Sequence, residues 1–324
     1  MQTTRRKFLG ALGIVPLSYY LQSCQGGTKA TTEASSKTME NSASSPPKFT
    51  LNDFGIQLWT VKENMAKDPK ATLKALSEYG YNQIESFQGE SGIFWGMKPN
   101  DFKTYLADQG QTMISSHVNP EFSFKPEKMD EFKKIADDAE SVGAKYLINP
   151  YLAMLKTKDE FMKAIDGFNR QGLVCKERGL KFAYHNHDYS FENRLGFVPI
   201  DLMLANTDKD SVFYEMDIYW VVIAQQDPIE WIKKHSGRFK LSHVKDLYTQ
   251  QKYDELLKVE PVKDGNKPPA SCVLGTGRID FNSVLQVAKE NGMEYFVVEQ
   301  EKFDNSNPMA DAKLDAEYMK KFKA

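Results

Sequence analysis

Lys145-Tyr146-Leu147-Ile148-Asn149, a helical period over 157–178, then Gly179 and Leu180-Lys181-Phe182-Ala183-Tyr184-His185: the reading of this stretch decides the fold. Two apolar runs, each too short for a helix, flank an amphipathic segment long enough to carry the chain back along its own length. That is a strand–helix–strand unit with parallel strands. Gly179 stands just past the periodic segment, where the left-handed residue that ends a helix belongs. Each run closes on a polar side chain, Asn149 and His185.

The unit repeats in both directions. Towards the N-terminus, strands are expected over 54–59, 81–87 and 112–117, with helices over 69–79, 99–109 and 127–142. Towards the C-terminus, strands are expected over 212–217, 239–245 and 295–299, with helices over 198–205, 228–235, 280–291 and 309–322. Gly80, Gly110, Gly143 and Gly292 recur at the same place in their units as Gly179 does. Eight units close a barrel, and closure removes both exposed sheet edges. A doubly wound open sheet would carry a glycine-rich phosphate turn after its first strand, and residues 57–61, Gln-Leu-Trp-Thr-Val, contain no glycine. The expected fold is a single (β/α)8 TIM barrel over 49–324.

In such barrels the active site lies at the C-terminal ends of the strands. The chain has five histidines, and four of them, His117, His185, His187 and His243, fall at those ends. His235 precedes Ser-Gly at a helix end, where a cation offsets the helix dipole. Acids occupy matching places: Glu85 in the second strand, Asp217 ending the sixth and Glu299 ending the eighth. A charge at the end of an apolar strand is costly unless paired or bound to a cation. Singly, each carboxylate could cap a helix or meet an arginine, and each histidine could be a hydrogen-bonded core residue. Jointly, imidazoles and carboxylates on one mouth suit manganese, zinc, cobalt or iron better than calcium.

The N-terminal 48 residues stand apart. Thr-Thr-Arg5-Arg6-Lys7-Phe-Leu opens the chain, and an apolar run to Leu21 follows; it is too short for a permanent membrane span, which needs about 20 apolar residues. The arrangement resembles a twin-arginine export signal, and Leu21-Gln22-Ser23-Cys24 resembles a lipobox whose Cys24 would be lipidated. The expected layout is a signal over 1–23, a flexible Ser/Thr/Ala-rich tether over 24–48 that cannot offset its ordering entropy, and the barrel. The protein is expected outside the cytoplasm, periplasmic or held to a membrane by that lipid alone. Removing three signal cations moves the net charge from −2 to −5, which argues against a nucleic-acid partner. Cys175 and Cys272 read as buried, inert thiols.

Tyr184-His185-Asn186-His187-Asp188, Met216-Asp217-Ile218-Tyr219-Trp220, Ser242-His243-Val244-Lys245-Asp246, Leu274-Gly275-Thr276-Gly277-Arg278-Ile279-Asp280-Phe281 and Val298-Glu299-Gln300 together resemble the xylose isomerase-like barrel superfamily, more narrowly its sugar phosphate isomerase/epimerase branch. The resemblance runs over about 53–323 in order. It implies a divalent metal bound by one residue from each of strands five to eight, usually Glu, Asp, His and Glu. Asp217, His243 and Glu299 match. Strand five departs, with His185 in place of glutamate, so either His185 ligates or Glu192 reaches back from the next loop. Manganese leads as the metal, with zinc, cobalt, iron or magnesium as alternatives. His187 is implied as a substrate-contacting acid/base, with Glu299 and Glu192 as its possible counterparts, and Lys245 as an oxyanion stabiliser. Gln57, Glu85 and His117 would bind hydroxyls and Arg278 is a further substrate-binding candidate, while Trp59, Tyr219 and Trp220 would face the C–H surface of a sugar; Phe87 and Trp95 share the mouth.

The reaction so implied is proton abstraction next to a carbonyl of a sugar or keto-sugar, giving isomerisation or epimerisation through an enediolate; expulsion of a β-substituent would make the same site a lyase or dehydratase. A phosphate site wants an arginine cluster or glycine-rich loop at a helix N-terminus, and Arg278 beside Gly275 and Gly277 is the one weak match. An abasic-site endonuclease would need more histidines and a basic groove. A non-catalytic sugar-binding lipoprotein is the rival from another class. Residues 248–274, with Pro261, Gly265, Pro268 and Pro269, read as a long loop at the mouth: a lid, a specificity loop or a dimer contact.

Overall fold

Seven of the apolar runs become strands β1 (Gly55–Gln57), β2 (Gln83–Phe87), β3 (Thr112–His117), β4 (Tyr146–Asn149), β5 (Lys181–His185), β6 (Val212–Asp217) and β7 (Phe239–Val244). After a short antiparallel pair, β8 (Asp246–Leu247) and β9 (Ser271–Cys272), the last run forms β10 (Tyr295–Val298). The structure, a computed structural model, describes residues 49–193, 195–263, 268–303 and 307–323. The expected signal, tether and Cys24 lie outside the described residues. All barrel pairings are parallel, and the strands close in the order β1-β10-β7-β6-β5-β4-β3-β2. The (β/α)8 expectation is met.

Local chemistry sets the boundaries. Pro69 opens the helix Pro69–Tyr79 behind the N-cap Asp68, whose side chain accepts from the Ala71 N–H. Gly80 ends it at φ 110°. The long helix Lys158–Lys176 is started by a capping box in which Thr157 and Glu160 satisfy each other's backbone N–H groups. The first strand is shorter than expected because Gln57 turns from ladder to cap: its side chain accepts from the Trp59 N–H and starts the 3-10 turn Leu58–Val61.

The barrel interior is layered. Its lower layer is apolar, with Tyr146, Ile148, Ala183 and Leu241 fully buried against Phe213 and Tyr295. Above it the inward side chains are polar and equally buried: Glu85, Ser115, His185, Glu215, Asp217 and His243. Outside the strands, the helices cover a large cluster built on residues such as Phe102, Phe132, Phe168 and Phe182, each fully buried aromatic contributing about 1.5–3 kcal/mol. That layer holds the strands rigidly enough to bring the polar groups together.

The expected long loop is partly a helix. Gln250–Val259 follows the N-cap Thr249, and its Tyr253 and Leu256 face Tyr219, Ile223 and Leu247. The prolines that made the segment read as loop fall after this helix. The segment's return is fixed to the barrel mouth: Ala270 N–H donates to the Tyr219 hydroxyl at 3.0 Å, while Ser271 Oγ accepts from the Glu301 and Lys302 N–H groups at 3.1 and 2.9 Å. Among the described residues, no helix is long and apolar enough to cross a membrane.

Candidate metal centre and pocket

Strand register brings the polar side chains together. Gln57 lies beside Glu85, His185 beside Glu215, and Asp217 beside His243. Glu299 follows β10, whose Val298 pairs with Val244 at the end of β7. Side chains on one strand face repeat every second residue, so Glu215 points inward with Asp217.

Two buried glutamates orient the imidazoles. Glu215 Oε2 accepts from His117 Nε2 at 2.9 Å and from His185 Nδ1 at 3.0 Å. Glu85 Oε1 accepts from His243 Nε2 at 2.6 Å and from Gln57 Nε2 at 2.7 Å, while its Oε2 accepts from Ser115 Oγ. These bonds turn the other nitrogen of each ring, in His185 and in His243, towards a carboxylate. His185 Nε2 lies 3.9 Å from Asp217 Oδ2, and His243 Nδ1 lies 3.2 Å from Glu299 Oε2. Asp217 spends Oδ1 as the N-cap of the helix Ile218–Ile223, accepting from Trp220 N–H at 3.2 Å. Its Oδ2 and His243 Nδ1 are buried without hydrogen-bond partners.

The donor set fits a divalent ion. Atoms that each bind one ion at about 2.1 Å lie roughly 3–4 Å from one another, the spacing of these two pairs. Histidine ligands whose second nitrogen is held by a carboxylate are the arrangement that fixes tautomer and ring orientation at metal sites. Asp217, His243 and Glu299 form one compact group of possible ligands, and His117, His185, Glu215 and His243 a second. In the second group the contacts of Glu215 are hydrogen bonds, so its carboxylate supports imidazoles. Glu192 belongs to neither group.

Charge is dense here. Burial raises Asp217, with Glu299 adding to it and Lys245 opposing, and the result is about 7; burial and Glu85 push Glu215 to about 7 as well. Burial disfavours the charged form of His117, but Glu85 and Glu215 override it and raise the ring to about 9. Burial lowers His187, helped by Lys245, to about 3, which leaves its ring neutral. Burial also holds His185 well below the usual range. Lys245 is fully buried, yet Glu299 Oε2 at 3.0 Å, Glu301 Oε2 and Asp217 Oδ2 at 3.6 Å keep it a cation.

Above these groups opens a cavity of about 560 Å³, with His185, His187 and Glu299 at its buried end and Trp59, Phe87 and Tyr151 on its wall. Several expected substrate contacts are committed elsewhere. Gln57 is used up by Glu85 and Trp59. Tyr219 is buried with its hydroxyl accepting from Ala270. Trp220 packs against His187 with ring centroids 5.2 Å apart. Trp95 donates its indole N–H to Ser86 Oγ and packs edge-on against Phe87. Arg278 sends its guanidinium to Gln250 and over the Tyr253 ring. The amides of its glycine loop are occupied too: Asp246 accepts from Gly275, Gly277 and Ile279. The loop lies so close that a Cβ on Gly277 would stand 2.3 Å from Asp246 Oδ1 and from Leu247 O. Cys175 and Cys272 are both buried free thiols.

Three residues of this site escaped the sequence reading. Glu215 stands two positions before Asp217 and Glu301 two after Glu299, and period-2 spacing was the available signal. Tyr151, at the wall, follows Asn149-Pro150 with no pattern to mark it.

A closed parallel barrel with imidazoles and carboxylates gathered at its strand ends defines a TIM barrel with a candidate metal site. The chain belongs to the xylose isomerase-like TIM barrel family, whose model matches residues 73–322. Over 187 residues it is 30% identical to an inosose dehydratase of Clostridium perfringens, covering 54% of this chain and 57% of that protein. The chain thus spans little more than half the length of the curated relatives it matches. Among solved structures it is similar to a sugar phosphate isomerase/epimerase from Parabacteroides distasonis, with 29% identity, a TM-score of 0.68 and coverage of 83% of this chain and 97% of that one. The IolI protein, solved with a bound zinc atom, shares the fold at 16% identity and a TM-score of 0.65, over 84% of this chain and 99% of that one.

Proposed function

We propose that this protein is a divalent-metal-dependent enzyme that removes the proton next to the carbonyl of an unphosphorylated keto-sugar or cyclic polyol ketone, and that it acts as an isomerase or epimerase. The single observation that carries the reading is the pair of histidines, each locked by a buried glutamate so that its other nitrogen meets a carboxylate oxygen. Asp217, His243 and Glu299 would hold the metal, with His185 as the strand-five ligand because its Nε2 stands 3.9 Å from Asp217 Oδ2; Glu192 is in neither group of possible ligands. Manganese leads among the metals these ligand types suit. When bound, the metal would stabilise the negative charge that develops on the carbonyl oxygen. Metal and proton compete for His243 Nδ1, so loading weakens in acid.

His187 is the proposed base: it lines the cavity, and its Nδ1 has no hydrogen-bond partner there. Lys245 fixes Glu299 and Glu301 as a permanent cation. The wall favours an uncharged substrate, since no lysine or arginine is among its described residues and the glycine-loop amides are taken by Asp246. A dehydratase outcome is the second reading, supported by the inosose dehydratase relatives. We further propose export, with Cys24 as the lipid anchor.

The test is solvent deuterium exchange. Manganese-loaded protein should place deuterium next to the carbonyl of at least one member of a panel of aldose–ketose pairs, keto-sugars and inosose, and lose this on chelation. Mass loss of one water would assign the dehydratase outcome. A metal-loaded protein that exchanges no proton across the panel would overturn the reading.

A further inference from the structure

Two aromatic side chains stand out by their exposure. Among the described residues, Trp59 at 40% and Tyr151 at 43% are the only aromatics in the set of exposed large apolar side chains, and both line the same cavity. Exposed aromatic surface that is gathered at one opening marks a binding surface. Trp59 follows β1 and Tyr151 follows β4, three strands away round the eight, so they flank the mouth from opposite sides. At the buried end, His185 and Glu299 are only 3% and 7% exposed.

Both rings are held in place. Trp59 is anchored by its N–H on Gln57 and packs edge-on to Phe87, which packs in turn on Trp95. The Tyr151 ring meets the rings of His187 and Tyr189 at 5.4 and 5.9 Å, and its N–H donates to Asn149. Rings held in advance lose little entropy on binding. The space between is larger than one sugar needs. A hexose displaces on the order of six waters at about 30 Å³ each, and the cavity of about 560 Å³ holds more than twice that. Pro120 and Pro150 extend the apolar wall.

We infer that the outer half of this cavity is a second subsite, which binds an uncharged glycosidic substituent with a flat apolar face against Trp59 and Tyr151 while the reacting ring sits at the metal end. The inference rests on the proposed function for the reacting ring, but the substituent's subsite is defined by the wall alone. A second pyranose and an aromatic aglycone share the required face.

Calorimetric titration of the manganese-loaded full chain with methyl β-glucoside, cellobiose and phenyl β-glucoside separates the cases. At least one of the two larger probes should bind about threefold to tenfold more tightly than the methyl glycoside, the range for one aromatic contact. Tightening by cellobiose alone assigns a sugar to the subsite, by the phenyl glycoside alone an aromatic aglycone, and by both a tolerant subsite. Trp59→Ala and Tyr151→Ala should each erase that gain, so that the larger probes bind no more tightly than the methyl glycoside, and Tyr151→Phe should keep the gain. Equal affinity for all three probes, no binding of either larger probe, or alanine variants that weaken all three alike would overturn the subsite. Because these readouts are binding, they stand apart from the deuterium exchange that decides the reaction.

Discussion

The two ends of this barrel both gather charge, and they do so in opposite ways. At the N-terminal end, Glu294 is fully engaged: Tyr146 donates its hydroxyl at 2.8 Å, Lys181 bridges both oxygens at 3.0 and 3.1 Å, and Lys240 approaches to 3.4 Å. At the C-terminal end, Asp217 Oδ2, His243 Nδ1 and Glu215 Oε1 stay without hydrogen-bond partners although they are buried. Unsatisfied buried polar atoms cost about 1–3 kcal/mol each, so a fold keeps a cluster of them only where something else completes it. The lower end closes the barrel; the upper end is built to receive a ligand. The sharpest way to break the contrast is Asp217→Ala. It should lower metal affinity and deuterium exchange by about 10³-fold, several kcal/mol of lost charge stabilisation, with secondary structure unchanged by circular dichroism. Retained stoichiometric metal would remove Asp217 from the site.

The next largest effect falls on a residue that stands behind the proposed ligands. Glu215 holds His117 and His185 by hydrogen bonds of 2.9 and 3.0 Å. Glu215→Gln can still offer one acceptor oxygen to both rings, but it removes the negative charge that stands behind them. Losing a carboxylate behind a metal-bound imidazole typically costs 10–100-fold in affinity. Competition against a fluorescent chelator should show that drop, and unchanged affinity would mean that His185 is not oriented through Glu215.

These two residues also show what a sequence can tell. Asp217 was legible because it ends an apolar run, where a charge has no cheap structural reason. Glu215 sits inside the run, flanked by Tyr214 and Met216, and a glutamate there looks like a residue facing outward. Its two-residue spacing from Asp217 puts it on the inward face, but only the register of β5 against β6, which sets His185 beside Glu215, reveals what it holds. The barrel was legible for the same kind of reason: helix ends are local, and Gly80, Gly110, Gly143, Gly179 and Gly292 all take positive φ. The fates of Arg278 and Gln57 were not local. Arg278 meets a helix formed within the 248–274 insertion, and Gln57 is committed by a neighbour 28 residues on. Side-chain commitment is decided by packing, which period and spacing do not encode.

Asp315 sharpens the contrast from outside the barrel. Its Oδ1 accepts from Leu274 N–H at 2.8 Å and its Oδ2 is buried without a partner, yet it belongs to no group of three or more possible metal ligands among the described residues. Burial first, then Asp311 and Asp246, raise it to about 8. A carboxyl raised in the folded state contributes most below its unfolded pKa of about 3.9, and that contribution is lost as pH climbs towards the folded value. Asp315→Asn keeps the acceptor and cannot ionise. The variant should therefore gain about 3–4 kcal/mol over the parent between pH 5 and pH 8, read by urea unfolding at both pH values with metal affinity unchanged. A parallel pH dependence for the two proteins would show that Asp315 is ionised in the fold.

The smallest effect belongs to the closed lower end. Lys181 and Glu294 have side chains 39% and 36% exposed, so solvent screens their pairing, and exposed pairs are worth about 1 kcal/mol or less. Glu294→Gln keeps an acceptor for the Tyr146 hydroxyl and removes the charge shared by Lys181 and Lys240. Stability should fall by no more than about 1 kcal/mol and recover in part at high salt, where a surface pair matters less. Metal affinity and exchange per folded molecule should stay at the parent value, because the apolar layer of Tyr146, Ile148, Ala183 and Leu241 separates this cluster from the imidazoles above. A loss of metal affinity in Glu294→Gln would mean that this layer transmits strain between the ends, and the two clusters would then be one coupled unit.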